Sequence, residues 1–429
     1  MGVKKILNQD VTKIKYFNLI FVILFLVYIL VFSVLTAQYT YARYYDLENL
    51  GFGYGQLIKN ILRSGLYKSC HSHYVGVCLS AHRLPFIPYF LVLLKNVLGS
   101  NDCYIIIIVK NLIFMPLTGL AILLTLHKTK ALLWHSLLVL VPLFTPPFVI
   151  HTFNIAYEEG YVVPVLACVF ALLLYIDKDS PKGIYIALFI LNSLLFFLKH
   201  TFLYVCPFVI GLFFIKTKDK IFTFVGAAFL VASMFYLASF NYYWADRFTL
   251  RASWEGLNIF KGNHILTDSI YPKYTLDMME TMPELQPPRT LHTEWEVNEY
   301  YASKGYDFIK NNPIKALKFV CIKAFVFFID IRPNGLLYGQ EYMKNRYKLP
   351  GMVMMAINRL LFLLIIIFII GAWRQKAGVK LLANMLVYSI ILLSYAFSYM
   401  VGFAYERHVM PTLLLNVLFM MYLYKPISV

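Results

Sequence analysis

The chain has few charged residues for its length. Of its 429 residues, 14% are charged, 60% are hydrophobic and 17% are aromatic, and the mean hydropathy is +0.66. A soluble protein needs roughly 25% charged residues to cover its surface. The deficit excludes a soluble globular protein and predicts an all-α polytopic membrane protein.

Acidic residues are scarcer than basic ones. There are 22 Asp and Glu against 39 Lys and Arg, which gives a formal net charge of +17 and a pI near 9.4. The Lys and Arg residues cluster in short connectors beside apolar runs, where they set the topology of a membrane protein. The bilayer is therefore the expected partner, and nucleic acid is not.

Other features are also missing. The apolar run at 17–37 lacks a small-residue cleavage site and is long enough to remain as a span, which argues against a signal peptide. The chain shows no internal repeat, low-complexity tract or heptad pattern.

The basic connectors predict the topology. Lys4, Lys5, Lys13 and Lys15 precede the first run, and later basic connectors lie at 127–130, 177–183, 216–220, 373–380 and from 425 onward. With all of them cytoplasmic, the sequence predicts about ten spans near 17–37, 103–126, 131–150, 161–176, 184–198, 201–215, 221–240, 352–371, 381–403 and 408–424.

Two more apolar pieces, 86–98 and 314–331, are expected to be interfacial or re-entrant helices. The first is short and follows prolines, and the second carries Lys315, Lys318 and Lys323, expected on one helical side. We divide the chain into an N-terminal module (1–240) with a first external loop (38–85), an external or interfacial segment (241–351) and C-terminal helices (352–429).

The first external loop carries a pair of carboxylates. Asp46 and Glu48 follow the first span and precede an amphipathic stretch typical of an interfacial helix. In an extended segment they point to the same side, where they can share a divalent cation or act as base and orienting group. Two solvated loop acids are the alternative.

The first part of the chain resembles the opening of membrane glycosyltransferases of the C superfamily (GT-C). The resemblance lies in this loop, in the helix end "ILRSGLY" and in the stretch "HRLPFIPYFLVLLKNVLGSND" (82–102). The resemblance is in particular to the protein mannosyltransferase and aminoarabinose transferase type. Three later stretches resemble family motifs in the family's order: "SLLFFLKHTFLYVCP" (193–207), "WEGLNIFKGNH" (254–264) and "YERHVMP" (405–411). The chain departs from the family in separating Asp46 from Glu48 by one residue and in lacking an inserted lumenal repeat domain.

The resemblance implies a GT-C-like bundle that moves a sugar from a polyprenyl-phosphate donor to an acceptor hydroxyl on the outer face of the plasma (inner) membrane. The acceptor would be a cell-envelope glycan, a glycolipid or another hydroxyl compound. Because an Asp leads the family motif, the resemblance favours Asp46 as base with Glu48 orienting it or a metal. The departure from the family spacing leaves open which of the two carboxylates is the base. Donor phosphate would be held by basic residues at external helix ends, for which the sequence offers Arg83, Lys199, His200 and Arg407. Snorkelling or loop capping are the alternatives for Lys199 and Arg407.

A second acidic pair, Glu158 and Glu159, precedes a predicted span. The resemblance suggests that it holds a metal or orients the acceptor, and carboxylates from two loops suit Mg²⁺ or Mn²⁺. A solvated loop pair is the alternative.

Cysteine and histidine are concentrated at 70–83. Cys70, His71, His73, Cys78 and His82 leave three possibilities open: a Cys70–Cys78 disulfide, free thiols or a zinc site.

Two other functions stay open at this stage. An O-antigen ligase or polymerase is also polytopic with a large external loop, but an early acidic loop would be less expected. A lipid or solute transporter more often shows inverted repeats and polar residues at mid-span, and neither is visible in the sequence.

Overall fold

A computed structural model gives the fold of the chain. It describes residues 10–41, 44–51, 53–70, 77–133, 137, 140–267, 285–329, 341–374, 379–402 and 406–423, except for the side chains of 13, 41, 147, 341–348, 350, 379, 380, 406 and 407. The described residues are helical or in connections, and they form isolated bridges but no strand.

The α-helices are numbered here in chain order. They are α1 (Phe17–Tyr41), α2 (Tyr54–Ser64), α3 (Phe86–Leu98), α4 (Cys103–Thr129), α5 (Pro146–Phe153), α6 (Glu159–Tyr175), α7 (Lys182–Leu198), α8 (Phe202–Thr217), α9 (Lys220–Ala245), α10 (Glu255–Gly262), α11 (Glu294–Asn311), α12 (Pro313–Phe328), α13 (Glu341–Arg374), α14 (Val379–Val401) and α15 (Glu406–Leu423). Three 3-10 turns lie at Val11–Lys13, Leu47–Asn49 and Val141–Phe144.

The helices make this an all-α protein of the membrane-embedded kind. Five stretches of the described helices are long and apolar enough to span a bilayer: Phe17–Thr40, Cys103–Thr129, Lys220–Ala245, Gly351–Arg374 and Leu381–Val401. Four other predicted spans are shorter apolar helices, α6, α7, α8 and most of α15. The predicted total of ten is therefore not confirmed.

The span predicted at 131–150 is not one helix. Its described part contains a 3-10 turn at Val141–Phe144, and a separate eight-residue helix, α5, begins at Pro146. Proline lacks a backbone N–H and clashes with the preceding turn, so Pro142 and Pro146 interrupt the helix. The prediction of a span rested on the apolar composition and did not consider these prolines.

Helix α6 lies at the centre of the bundle. Nearly every residue from Glu159 to Leu174 is buried, and α6 packs on α4, α5, α7 and α15. A helix that is apolar on all sides is expected in such a position. Helix α1, by contrast, packs mainly on α4 and leaves most of its apolar surface exposed, as a lipid-facing helix would.

The described basic connectors lie together at one end of the bundle. The backbone N–H of Val11 donates to Ala131, and His127 contacts Asn18. Lys182 pairs with Asp219 at 2.7 Å, and this ion pair joins the connector at 177–183 to the connector at 216–220. The grouping expected from the sequence is thus seen in the described part of the chain, whereas the side of the membrane that it faces stays a prediction.

The segment after α9 is tied to the first loop at the opposite end. The carboxylate of Glu294, at the start of α11, accepts hydrogen bonds from the backbone N–H groups of Ser80 (2.9 Å) and Ala81 (3.0 Å). The indole of Trp295 donates to the carbonyl of Ala245 at 2.7 Å. These contacts hold α10 and α11 against the ends of the apolar helices.

Helix α12 corresponds to the piece predicted at 314–331. Its three lysines do not share one side, because Lys323 is fully buried while Lys318 is exposed. The prediction of a common basic face is therefore wrong. The ammonium of Lys323 instead donates to the carbonyls of Gly262, Val401 and Gly402 at 2.8–3.1 Å.

Candidate functional site

A cavity of about 1020 Å³ opens at the end of the bundle opposite the basic connectors. The first loop, the α7–α8 junction, α10 and the end of α14 enclose it. Its charged and histidine lining residues are Glu48, Lys59, His82, Arg83, Glu158, Lys199, His200, Arg251, Glu255, Lys261 and His408. Most of the site residues predicted from the sequence therefore meet in one place.

The two carboxylates of the first loop have separate surroundings. Asp46 is the N-cap of the 3-10 turn and accepts from the backbone N–H (2.9 Å) and side chain (2.8 Å) of Asn49. Glu48 lines the cavity, 3.0 Å from Arg63 and 3.7 Å from Lys95. The expected extended segment is a 3-10 turn, in which the Asp46 cap satisfies the backbone N–H of Asn49. In the described part of the chain the two carboxylates share no hydrogen-bond or ion-pair partner, and Asp46 is not among the lining residues.

Arg83 is fixed by a carboxylate and two aromatic rings. Its Nη1 donates to Glu158 Oε1 at 2.9 Å, and the guanidinium lies 5.0 Å from the ring centre of Tyr54 and 5.2 Å from that of Trp254. The Tyr54 hydroxyl donates to the same Glu158 oxygen at 3.3 Å. A guanidinium held in this way presents a preorganised fork of donors to an anion.

Lys199 forms the buried part of the same charge cluster. It is the C-cap of α7, and its ammonium lies 2.5 Å from Glu159 and 3.5 Å from Glu158. Burial opposes the charged form, but the Glu159 and Glu158 carboxylates outweigh it and raise the pKa of Lys199 above its usual value. Lys199 therefore carries a positive charge at neutral pH.

A second buried lysine, Lys110, binds the backbone next to the acidic pair Glu158 and Glu159. Lys110 of α4 is fully buried, and its ammonium donates to the carbonyls of Thr152, Asn154 and Gly160 at 3.1–3.4 Å. A Cβ at Gly160 would lie 2.5 Å from the Asn154 carbonyl, so the close turn requires glycine there. This arrangement fixes the α5–α6 connection that carries Glu158 and Glu159.

Two histidines line the cavity beside Arg83 and Lys199: His82 is buried and His200 is partly buried. Burial lowers the pKa of His200 to about 4, and burial together with the Arg83 charge lowers that of His82 well below its usual value. Both rings are therefore neutral at pH 7. The His82 ring lies 5.5 Å from that of Trp254.

Cys70 and Cys78 form a disulfide, which resolves the alternatives left open for these two residues. His71 and His73 lie outside the described residues. The side chain of Arg407 does too, so its predicted phosphate contact stays a prediction.

The expected metal ligands have other partners. Glu158 and Glu159 are both paired with Lys199, and Glu158 also with Arg83. Within the described ranges, no group of three or more His, Cys, Asp and Glu side chains is placed to hold a metal ion. These residues therefore do not fit a metal site.

Three residues important to this geometry were missed by the sequence reasoning. Lys110 and Glu294 are a buried cation and a buried carboxylate, and Glu255 lines the cavity at the start of α10. A lysine within an apolar run is an available signal, because an intramembrane charge is costly. Glu255 lies in the stretch 254–264 that resembles a GT-C motif, whereas for Glu294 the sequence offers only its place in a polar segment.

Comparison of the chain with protein-family models, with curated proteins and with solved structures finds no match.

Proposed function

We propose that the protein is a membrane glycosyltransferase that moves a sugar from a polyprenyl-phosphate donor to an acceptor hydroxyl in the cavity. The observation that carries the proposal is the Arg83–Glu158–Lys199–Glu159 charge cluster at one end of an apolar helix bundle. A lipid-linked anionic substrate needs both a bilayer-embedded protein and cations at the edge of the membrane. The GT-C resemblance of the sequence supports the reaction type.

The balance of charge in the cavity favours an anionic substrate. Five cations line it, Lys59, Arg83, Lys199, Arg251 and Lys261, against three carboxylates, Glu48, Glu158 and Glu255. Glu48 is paired with Arg63 and Lys95, and Lys199 is paired with Glu159, and none of these three partners is a lining residue. Without Glu48 and Lys199, four cations still face two carboxylates. The cavity is therefore a positive site next to an apolar bundle, as a polyprenyl phosphate requires.

The geometry supports the following roles. Arg83 would bind oxygens of the donor phosphate, and the buried Lys199 would supply a second positive charge near the same phosphate. As the bond between the sugar and the phosphate breaks, negative charge grows on the leaving phosphate, and fixed cations stabilise that charge without reorganising. Glu158 and Glu159 would orient these two cations, and Trp254 holds the Arg83 plane.

The disulfide supports an outward-facing cavity. Cys70–Cys78 lies on the first loop, and disulfides persist in oxidising compartments outside the cytoplasm. The location of the basic connectors at the opposite end agrees with this orientation.

The test is a transfer assay on the purified protein in lipid nanodiscs. Synthetic polyprenyl phosphates carrying hexoses or pentoses serve as donors, envelope lipids serve as acceptors, and release of polyprenyl phosphate is measured. Arg83→Lys keeps the charge but loses the fork of donors, so we expect turnover to fall by about 100-fold or more. The control is Arg247→Lys, because Arg247 is half-exposed and pairs with the exposed Glu299.

Two results would contradict the proposal. One is the absence of transfer from every donor by a folded wild-type protein, combined with unchanged cell-envelope glycans by mass spectrometry in a deletion strain. The other is equal turnover by Arg83→Lys and Arg247→Lys.

A further inference from the structure

Glu255 differs from the other carboxylates that line the cavity. Glu48 and Glu158 each lie within 3.0 Å of a cation. The side chain of Glu255 is 29% exposed, and its ion-pair partner in the described part of the chain is Arg251 at 4.0 Å, whose own side chain is 70% exposed. A distant, solvated cation offsets little of a carboxylate's negative charge. The charge of Glu255 is therefore the least neutralised of the three cavity carboxylates.

Glu255 lines the same cavity as Arg83, Glu158 and Lys199. The preceding residue, Trp254, lies on Arg83 at 5.2 Å. Arg251 and Tyr204 of α8 interact electrostatically with it. Tyr306 of α11 and Lys261 of α10 line the same cavity. Burial raises the pKa of Glu255, although Arg251 opposes the shift. An open carboxylate with a raised pKa in a cleft is the type of group that accepts protons in catalysis.

We propose that Glu255 is the catalytic base of the transfer reaction, which rests on the proposed function. The acceptor oxygen bonds to the anomeric carbon of the sugar while its proton passes to the Glu255 carboxylate. The bond between that carbon and the phosphate oxygen breaks, and its electron pair leaves with the polyprenyl phosphate beside Arg83 and Lys199. The proton on Glu255 then returns to water, and the carboxylate is restored.

The variants are Glu255→Gln, Glu255→Asp and the control Glu299→Gln, which removes an exposed carboxylate of α11. Loss of a general base should lower the maximal rate of Glu255→Gln by about 100-fold or more. Its KM for the donor should change far less, and Glu255→Asp should recover part of the rate. Wild-type turnover should rise with pH as Glu255 loses its proton, and this rise should be absent in Glu255→Gln. A merely structural role would leave the pH profile unchanged.

A second measurement needs no substrate. Carbodiimides modify protonated carboxyl groups, so dicyclohexylcarbodiimide at pH 6 should label Glu255 before Glu158 and Glu159, which are paired with cations. Peptide mass spectrometry identifies the labelled residue. If Glu255 stays unlabelled while the paired residues react, the proposal is overturned. It is also overturned if wild-type transfer is observed and Glu255→Gln keeps its rate and pH profile. A failure of the proposed function is distinct from both, since the wild-type protein would then transfer no sugar.

Discussion

Lys199 and Glu159 act on one another as a buried ion pair, with 9% and 2% of their side chains exposed. Such a pair adds little to stability compared with well-packed apolar residues, but removal of one member leaves an uncompensated charge. Stability and function can therefore be separated at this site, because the fold needs only charge balance whereas the proposed reaction needs the cation itself.

Replacement of Lys199 by Met should destabilise the protein by about 3 to 5 kcal/mol, and Glu159→Met should do the same. The double variant Lys199→Met/Glu159→Met should recover most of that stability and still lack transfer activity. Thermal unfolding in detergent and the nanodisc assay measure the two effects. An active double variant would show that Lys199 has no part in the chemistry.

The first-loop carboxylates call for a different comparison. Asn is as good an N-cap as Asp, so Asp46→Asn should keep the 3-10 turn and stay within a few-fold of wild-type activity. Asp46→Ala should lose about 1 kcal/mol of stability through the missing cap. Assays in membranes matched for expression give the activities. A loss of about 100-fold in Asp46→Asn would restore Asp46 to the role of base that the GT-C resemblance implies.

At the scale of elements, the contact of α11 with the first loop positions the cavity wall. Ser80 and Ala81 precede His82 and Arg83 directly, so the Glu294 carboxylate sets the backbone from which both side chains enter the cavity. The link joins two parts of the chain more than 200 residues apart.

Removal of this carboxylate by Glu294→Ala leaves two buried backbone N–H groups unpaired. Each costs about 1 to 3 kcal/mol, so we expect a clear fall in the unfolding midpoint and faster proteolysis of the first loop. Glu299→Ala, on the exposed face of the same helix, should cost less than about 1 kcal/mol. Equal effects of the two substitutions would mean that the Glu294 contact does not hold the loop.

The sequence was informative about elements whose signal is local. The runs at 184–198 and 201–215 predicted α7 and α8 closely, because an apolar stretch between basic connectors has few other outcomes. The stretch at 131–150 was misread because hydropathy says nothing about where prolines divide a helix. Lys199 was identified from its position at a helix end, whereas its pairing with Glu159 depends on the packing of α6 against α7, which no local pattern encodes.

At the scale of the whole molecule, the two ends of the bundle differ in chemistry. One end collects the described basic connectors, and the other holds the cavity, the disulfide and α10–α12. This asymmetry is what the positive-inside rule requires of a protein with a fixed orientation.

Cysteine labelling tests that orientation. With the exposed Cys321 replaced by Ala, single cysteines are placed at Asp307 in α11 and at Asp179 in a basic connector, both exposed positions. An impermeant maleimide should label Asp307→Cys on intact cells and Asp179→Cys only after permeabilisation. The reverse pattern would place the cavity in the cytoplasm and remove the support that the disulfide gives to the proposed function.

The buried lysine of α4 also affects how the chain can be made. The carbonyls that surround Lys110 come from residues 42, 44 and 50 positions later. A ribosome adds about 5 to 20 residues per second, so for about 2 to 10 s α4 exists without the groups that solvate its ammonium. A lone lysine costs about 2.5 to 3.5 kcal/mol during insertion when it lies at the centre of a span, and Lys110, the eighth of the 27 residues of α4, costs part of that. Newly made α4 should therefore stay beside the polar channel of the insertion machinery until α5 and the start of α6 emerge, and the three helices should enter the lipid together.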